Sequence, residues 1–187
     1  MYKIKFRPDG SIERYKARLV IRGFQQVQDK DYKHTFSPVA KLTIVRIFIA
    51  LATTRGSLLH QLDINNAFLH GFLDEEVYMY PPEGYLIAKP GQVCKLERSL
   101  YDLKQASRQW NLELTKFLLS QGFCQSKSDY SLFTKVSQGL FTSVLVYVDD
   151  LLIAGDDVHS ITQLKVKLHE AFTIKDLGWL DISLELR

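Results

Sequence analysis

The stretch Ser143-Val144-Leu145-Val146-Tyr147-Val148-Asp149-Asp150-Leu151-Leu152-Ile153-Ala154-Gly155 sets two adjacent carboxylates inside an otherwise apolar run. Either flank alone reads as a buried strand. Burying two unpaired carboxylates is costly, so the acids must sit at an exposed turn, meet basic partners or hold a metal. A two-residue hairpin turn would satisfy the first. Such turns favour Asn-Gly or Asp-Gly because their central residues need positive φ, which makes Asp-Asp a poor choice on turn grounds alone. A structural turn and a metal site are both open readings of this pattern.

A second segment, His60-Gln61-Leu62-Asp63-Ile64, also places a lone Asp among apolar neighbours. Strand alternation sends Leu62 and Ile64 to one face and Asp63 to the other, and puts Leu145, Tyr147 and Asp149 on one face of their own strand. Neighbouring strands of one sheet would then bring Asp63 and Asp149 together, and like charges that close require a cation. Carboxylate oxygens without His or thiolate partners suit a hard ion. Magnesium in particular is held by one or two carboxylates plus substrate phosphates. That combination describes a nucleotidyl-transfer site with two metals.

Working outward, Tyr2 to Phe6 and Ile12 to Ile21 flank Pro8-Asp9-Gly10 and read as a basic two-stranded hairpin carrying Lys16, Arg18 and Arg22. Apolar residues at Ile44, Ile47, Phe48 and Leu51 predict a helix over Ile44 to Arg55, followed by a strand over Leu59 to Ile64. A second helix is expected over Leu100 to Gly122, with Leu103, Trp110, Leu114, Phe117 and Leu118 as core candidates. A third covers Ile161 to Phe172, and strand-like runs at Tyr130 to Val136 and Leu140 to Ile153 lie between these two helices. Helices mixed with antiparallel strands make the class α+β.

The 187 residues are 46% hydrophobic and 24% charged, with 24 basic against 21 acidic side chains, which suits a globular domain and permits a nucleic-acid partner without showing one. Cys94 and Cys124 form no CxxC pair, so they read as buried small hydrophobes in a reducing compartment, not as a disulfide or zinc site. No signal-peptide pattern opens the chain, and the apolar runs around Asp149-Asp150 are too short to span a bilayer. His34, His60 and His70 lack ligand spacing and read as surface or hydrogen-bonded histidines.

Six ordered blocks resemble the reverse transcriptase of copia-type long-terminal-repeat retrotransposons. They are Lys16 to Phe24, Thr35-Phe36-Ser37-Pro38-Val39, Gln61 to Gly71, Ser99 to Trp110, Tyr147-Val148-Asp149-Asp150, and Phe172 to Gly178. The resemblance implies a fingers-and-palm polymerase core with an antiparallel palm sheet packed on helices. Fingers-like segments would cover roughly 1–58 and 74–105, and palm segments 59–73 and 106–187. It implies Asp63, Asp149 and Asp150 as the catalytic carboxylates at the metal site, Asp63 and Asp149 holding both metals and Asp150 taking a less direct part, with two magnesium ions or manganese in their place. Phe68 matches the aromatic that crowds the sugar 2′-carbon, with an ordinary core aromatic as the alternative. Gln105 resembles the segment beside the incoming nucleotide, against a solvated polar cluster at a helix start. Lys16, Arg18 and Arg22 resemble a basic strand reaching the triphosphate, or a solvated edge strand. Lys175 matches the position of a general acid for pyrophosphate, or is an exposed lysine near a helix end. The implied partners are an RNA or DNA template, a DNA primer and deoxynucleotides, with no membrane, in cytoplasmic virus-like particles.

Two departures stand out. Asp102 occupies a position where the family has Gly, and Leu180-Asp181-Ile182-Ser183-Leu184-Glu185 replaces a Tyr-Phe-Leu-Gly primer-grip signature. The chain also starts after the family's first fingers segment and stops before any thumb, so the resemblance implies a piece of a Pol polyprotein with little processive activity. The alternative is an inactive retroelement remnant that binds nucleic acid non-specifically.

Overall fold

The computed structural model describes residues 1–180 apart from 86, 88 and 90. The segment expected to alter the primer grip therefore lies outside the described residues beyond Leu180. Among the described residues there are three α-helices and three antiparallel sheets, and no helix is long and apolar enough to cross a membrane.

The first sheet is the expected hairpin of β1 (Tyr2–Phe6) and β2 (Ile12–Ala17). Its turn is held by the Asp9 carboxylate, which accepts from the Ser11 amide at 2.9 Å and the Ser11 hydroxyl at 2.7 Å, while Gly10 takes φ +83°. β2 ends at Ala17 instead of Ile21, because the chain leaves the hairpin to form a parallel bridge from Val20 to Tyr101 and a 3₁₀ turn at Gly23–Gln25.

Helix α1 (Leu42–Thr54) begins two residues before its expected start. Its buried stripe is also rotated from the expected one. Phe48 and Ala52 are buried with Ile44, Val45 and Ile49 beside them, whereas Ile47 and Leu51 are 49% and 55% exposed. The i, i+4 row Ile44–Phe48–Ala52 faces the sheet, and Ile47 and Leu51 fall on the next row.

The six-stranded sheet has the order β10-β3-β9-β8-β7-β6, with β3 (Leu58–Ile64), β6 (Cys124–Gln125), β7 (Leu132–Ser137), β8 (Leu140–Tyr147), β9 (Asp150–Gly155) and β10 (Ile174–Trp179). One face packs Leu62, Ile64, Val144, Val146, Leu151 and Ile153 against α2 (Ala106–Ser120) and α3 (Val158–Phe172). The helices contribute Trp110, Leu114, Leu118, Ile161, Leu164, Leu168 and Phe172 to this core, and α3 is capped by Asp157, which accepts from the Ser160 amide at 2.8 Å. The other face packs Leu59, Leu145 and Ala154 under α1. Helix α1, inside the segment read as fingers-like, therefore sits on the sheet that carries the acids. The third sheet, β4 (Phe72–Met79) with β5 (Cys94–Arg98), has no counterpart in the sequence reading.

Helix α2 starts six residues later than its periodicity suggests. Asp102 has φ +71°, a left-handed conformation that a right-handed helix cannot contain. The Asp102 carbonyl is pressed against Gly23, where an added Cβ would come within 1.6 Å of it, so only glycine fits at position 23. Cys94 is half-buried and Cys124 exposed, both free, so Cys124 is not the buried hydrophobe expected.

Candidate active site

The hairpin between β8 and β9 has Tyr147 opposite Asp150, which makes Val148 and Asp149 the two loop residues and Asp150 the first residue of β9. The turn is thus displaced by one residue from an Asp-Asp turn, and strand alternation ends at Tyr147 before it reaches Asp149. Val148 takes φ +57°, and Asp149 is not among the residues with positive φ. A β-branched residue there is strained by about 1–2 kcal/mol. The Ile64 amide donates to the Asp149 carbonyl at 2.8 Å, which lays the turn over the end of β3.

Register does the rest. Lys175 on β10 is the direct partner of Asp63 on β3, Asp63 is the partner of Asp150 on β9, and Asp150 is the partner of Tyr147 on β8. Directly opposed residues share a face, so Lys175, Asp63, Asp150 and Tyr147 form one rung across four strands. The rung lies on the α1 side of the sheet, beyond the end that α1 covers. Asp63 and Asp150 are half-buried there, whereas Lys175, Tyr147 and Asp149 are exposed. A cavity of about 530 Å³ runs between α1 and the acids, lined by Val45, Ile49, Gln61, Leu145, Tyr147 and Asp150 among others.

The charges feel one another. Burial first, then the Asp149 and Asp63 carboxylates, push the Asp150 carboxyl above its usual range, and a hydrogen bond from Gln61 partly offsets this. Burial, with Asp149 and Asp63 adding to it, also raises the Tyr101 phenol, while Arg18 acts the other way. Lys16 is pushed down by burial and by its basic neighbours Arg18, Arg14 and Lys5, with Asp63 opposing.

The remaining sequence candidates divide by location. Lys16 is half-buried within the field of Asp63, and the Arg18 guanidinium lies 5.0 Å from the centre of the Tyr101 ring. Phe68, in the 3₁₀ turn Ala67–His70, meets the same Tyr101 edge to face at 5.3 Å. Arg22 lines a separate cavity with Gln25, Gln26, Asp31 and Tyr78. Gln105 is fully buried instead of solvated, accepting from Gln26 at 3.1 Å and donating to the Asp31 carbonyl at 3.2 Å, so its amide is spent inside the protein. Lys175 is a strand residue on the acid rung. His60 is 3% exposed, with its ring 3.9 Å from that of Trp179 and Nδ1 3.4 Å from the Asp176 carboxylate, and it lies on the opposite face from the acids. Sequence reasoning missed Gln61 and Tyr101. Gln61 was accessible to it, since alternation from Asp63 puts Gln61 on the same face.

Among the described residues no group of three or more His, Cys, Asp and Glu side chains is arranged to hold a metal ion as it stands. The chemistry of the donor set is nonetheless that of a hard-cation site. It is made of carboxylate oxygen alone, and the nearby Asp149 and Asp63 carboxylates add to burial in raising the Asp150 carboxyl. Magnesium takes one or two protein carboxylates and completes its shell with water and phosphate, so it does not require a three-ligand protein cage.

A family model described as reverse transcriptase (RNA-dependent DNA polymerase) matches residues 1–186. The chain belongs to this reverse transcriptase family. Within it, the relatives are copia-type Pol polyproteins of transposons. The chain is 45% identical over 180 residues to the retrovirus-related Pol polyprotein from transposon TNT 1-94 of Nicotiana tabacum, covering 95% of this chain and 14% of that protein. It is 46% identical over 173 residues to the Pol polyprotein from transposon RE1 of Arabidopsis thaliana, covering 92% and 12%. The transposon Ty1-GR3 Gag-Pol polyprotein of Saccharomyces cerevisiae is 27% identical over 187 residues, covering 99% and 10%. The chain thus spans a small part of each relative's length. No solved structure matches it.

Proposed function

We propose that this domain copies an RNA or DNA template into DNA, with Asp63, Asp149 and Asp150 holding two divalent cations at the site of nucleotidyl transfer. The observation that carries the reading is the register: Asp63 and Asp150 are direct cross-strand partners, and Asp149 precedes Asp150 in a strained turn at the open end of the sheet. When bound, magnesium would neutralise the carboxylates and the developing charge on the phosphates. The protein's part is to position.

In this reading the six-stranded sheet with α2 and α3 is the palm, joined by α1. The β1–β2 hairpin and the β4–β5 pair belong to the fingers. Lys16 and Arg18 would meet the triphosphate of a deoxynucleotide, as charges brought close to the acid rung by the hairpin. Phe68 and Tyr101, packed edge to face, would form the wall against the sugar, where bulk at the 2′-carbon excludes a hydroxyl. Lys175, beside Asp63 on the rung, would deliver a proton toward the leaving pyrophosphate. Gln105 would act indirectly, bracing the segment around Gln26 and Asp31. Arg22 is set apart from this group, and its cavity would receive other parts of the nucleic acid.

Primer extension tests the proposal. The purified chain, given an oligo(dT) primer on poly(rA) with magnesium, is expected to add deoxynucleotides, and Asp149→Asn is expected to abolish the addition. Addition that persists in Asp149→Asn, or that needs no divalent cation, would refute it.

A further inference from the structure

Trp110 is the largest of the fully buried side chains, 1% exposed, with its ring in edge contact with Phe172 at 5.1 Å and tilted against His70 at 5.9 Å. Its indole N–H donates to the carbonyl of Val148 at 2.7 Å. Val148 is the strained residue of the acid turn, and its neighbour Asp149 accepts from the Ile64 amide at 2.8 Å. Strained backbone persists only where its surroundings over-determine it. Here the peptide groups of the turn are gripped from two sides, by α2 through Trp110 and by β3 through Ile64. The backbone at Trp110 cannot shift readily, because α2 packs tightly on Gly71, where an added Cβ would stand 2.8 Å from the Trp110 backbone nitrogen.

We infer that Trp110 is a positioning residue whose indole N–H holds the Val148 carbonyl and thereby fixes the direction in which Asp149 presents its carboxylate. The inference rests on the reading of Asp149 as a metal-holding carboxylate. A tryptophan serving the core alone would need only its ring area, whereas this one spends its single side-chain polar atom on the turn that carries Asp149.

Two variants separate the N–H from the ring. Trp110→Phe removes the donor and some volume. Benzothienylalanine at position 110 keeps the two-ring shape and puts sulfur where the indole carries N–H. The direct readout is residue-resolved amide hydrogen exchange in the full chain. Loss of one hydrogen bond is expected to speed exchange at the Ile64 amide by about threefold to tenfold in the benzothienylalanine protein, leaving Leu118 and Leu168 unchanged. Unchanged exchange at Ile64, or a uniform acceleration throughout the core, would overturn the inference. In primer extension the same protein should lose kcat while KM for the deoxynucleotide stays within about twofold, as expected when alignment and not binding is damaged. If the natural chain adds no nucleotide, the polymerase reading fails, but the Ile64 exchange still decides whether Trp110 holds the turn.

Discussion

Asp102→Gly should stabilise this protein. Asp102 sits at φ +71° between Tyr101, which takes part in the candidate site, and the start of α2. Left-handed backbone costs an ordinary L-residue about 1–2 kcal/mol, and Asp somewhat less because its short side chain tolerates the region. Glycine escapes that cost but gives up about 0.5–1 kcal/mol of extra chain entropy on folding. The local backbone should not relax on substitution. The Ile21 amide donates to the Tyr101 carbonyl at 3.1 Å, the Lys104 amide donates to Gln26 Oε1 at 2.8 Å, and Gly23 presses on the Asp102 carbonyl. The net gain is therefore small, at most about 1 kcal/mol, or up to about 4 °C in Tm for a chain of this length. Asp102→Ala should move Tm the other way, since Ala keeps the Cβ and lacks the polar group. Thermal unfolding followed by circular dichroism reads both. A lower Tm for Asp102→Gly, or shifts of the same sign for the two variants, would show that the left-handed backbone is not the cost argued.

Two more outcomes follow from the acids and the wall. The Asp150 carboxyl is held above its ordinary value of 3.8 by burial and by Asp149 and Asp63. A raised folded-state value favours the protonated fold, so the group's contribution is fully present below the unfolded value and is lost as pH rises through the folded one. At neutral pH without divalent cation Asp150→Asn should therefore raise Tm, and the gain should vanish on acidification below the Asp range. A pH series of melts in chelator checks it, and a pH-independent difference would refute it. Phe68→Ala should raise ribonucleotide incorporation relative to deoxynucleotide incorporation in primer extension. An unchanged ratio would assign Phe68 to packing alone.

The fold was legible where local pattern and tertiary demand agree. Helices α2 and α3 carry apolar residues at helical spacing over four turns, and β8 and β9 carry the apolar runs Val144 to Tyr147 and Leu151 to Ala154 because both of their faces are covered, by α1 on one side and by α2 and α3 on the other. Strands β4 and β10 were not legible, for different reasons. β4, Phe-Leu-Asp-Glu-Glu-Val-Tyr-Met, has only Val77 buried, so its pairing with β5 leaves little hydrophobic record. β10, Ile-Lys-Asp-Leu-Gly-Trp, contains residues poor in strand propensity and a register shift between Asp176 and Gly178. It is a strand because β3 offers an edge to pair with, a tertiary cause that outweighs propensity.

The site divides in the same way. Its carboxylates announced themselves as charges in apolar segments, a conflict that pointed beyond packing. Their arrangement did not, because a rung of Lys175, Asp63, Asp150 and Tyr147 depends on the registers of three strand pairs whose members lie up to 112 positions apart, taking 175 minus 63. A slip of one residue in any pair would turn one member of the rung to the opposite face, and in the β3–β9 pair that member is an acid. What pins the register on the β3 and β9 strands is the apolar set on the other face, Leu62 and Ile64 with Leu151 and Ile153, each at most 1% exposed. Turning these residues to the open face would cost about 1.5–3 kcal/mol apiece, far more than the repulsion among half-exposed carboxylates recovers. The core therefore holds the acids together against their own charge, and the open face retains a local electrostatic cost that a bound cation would relieve.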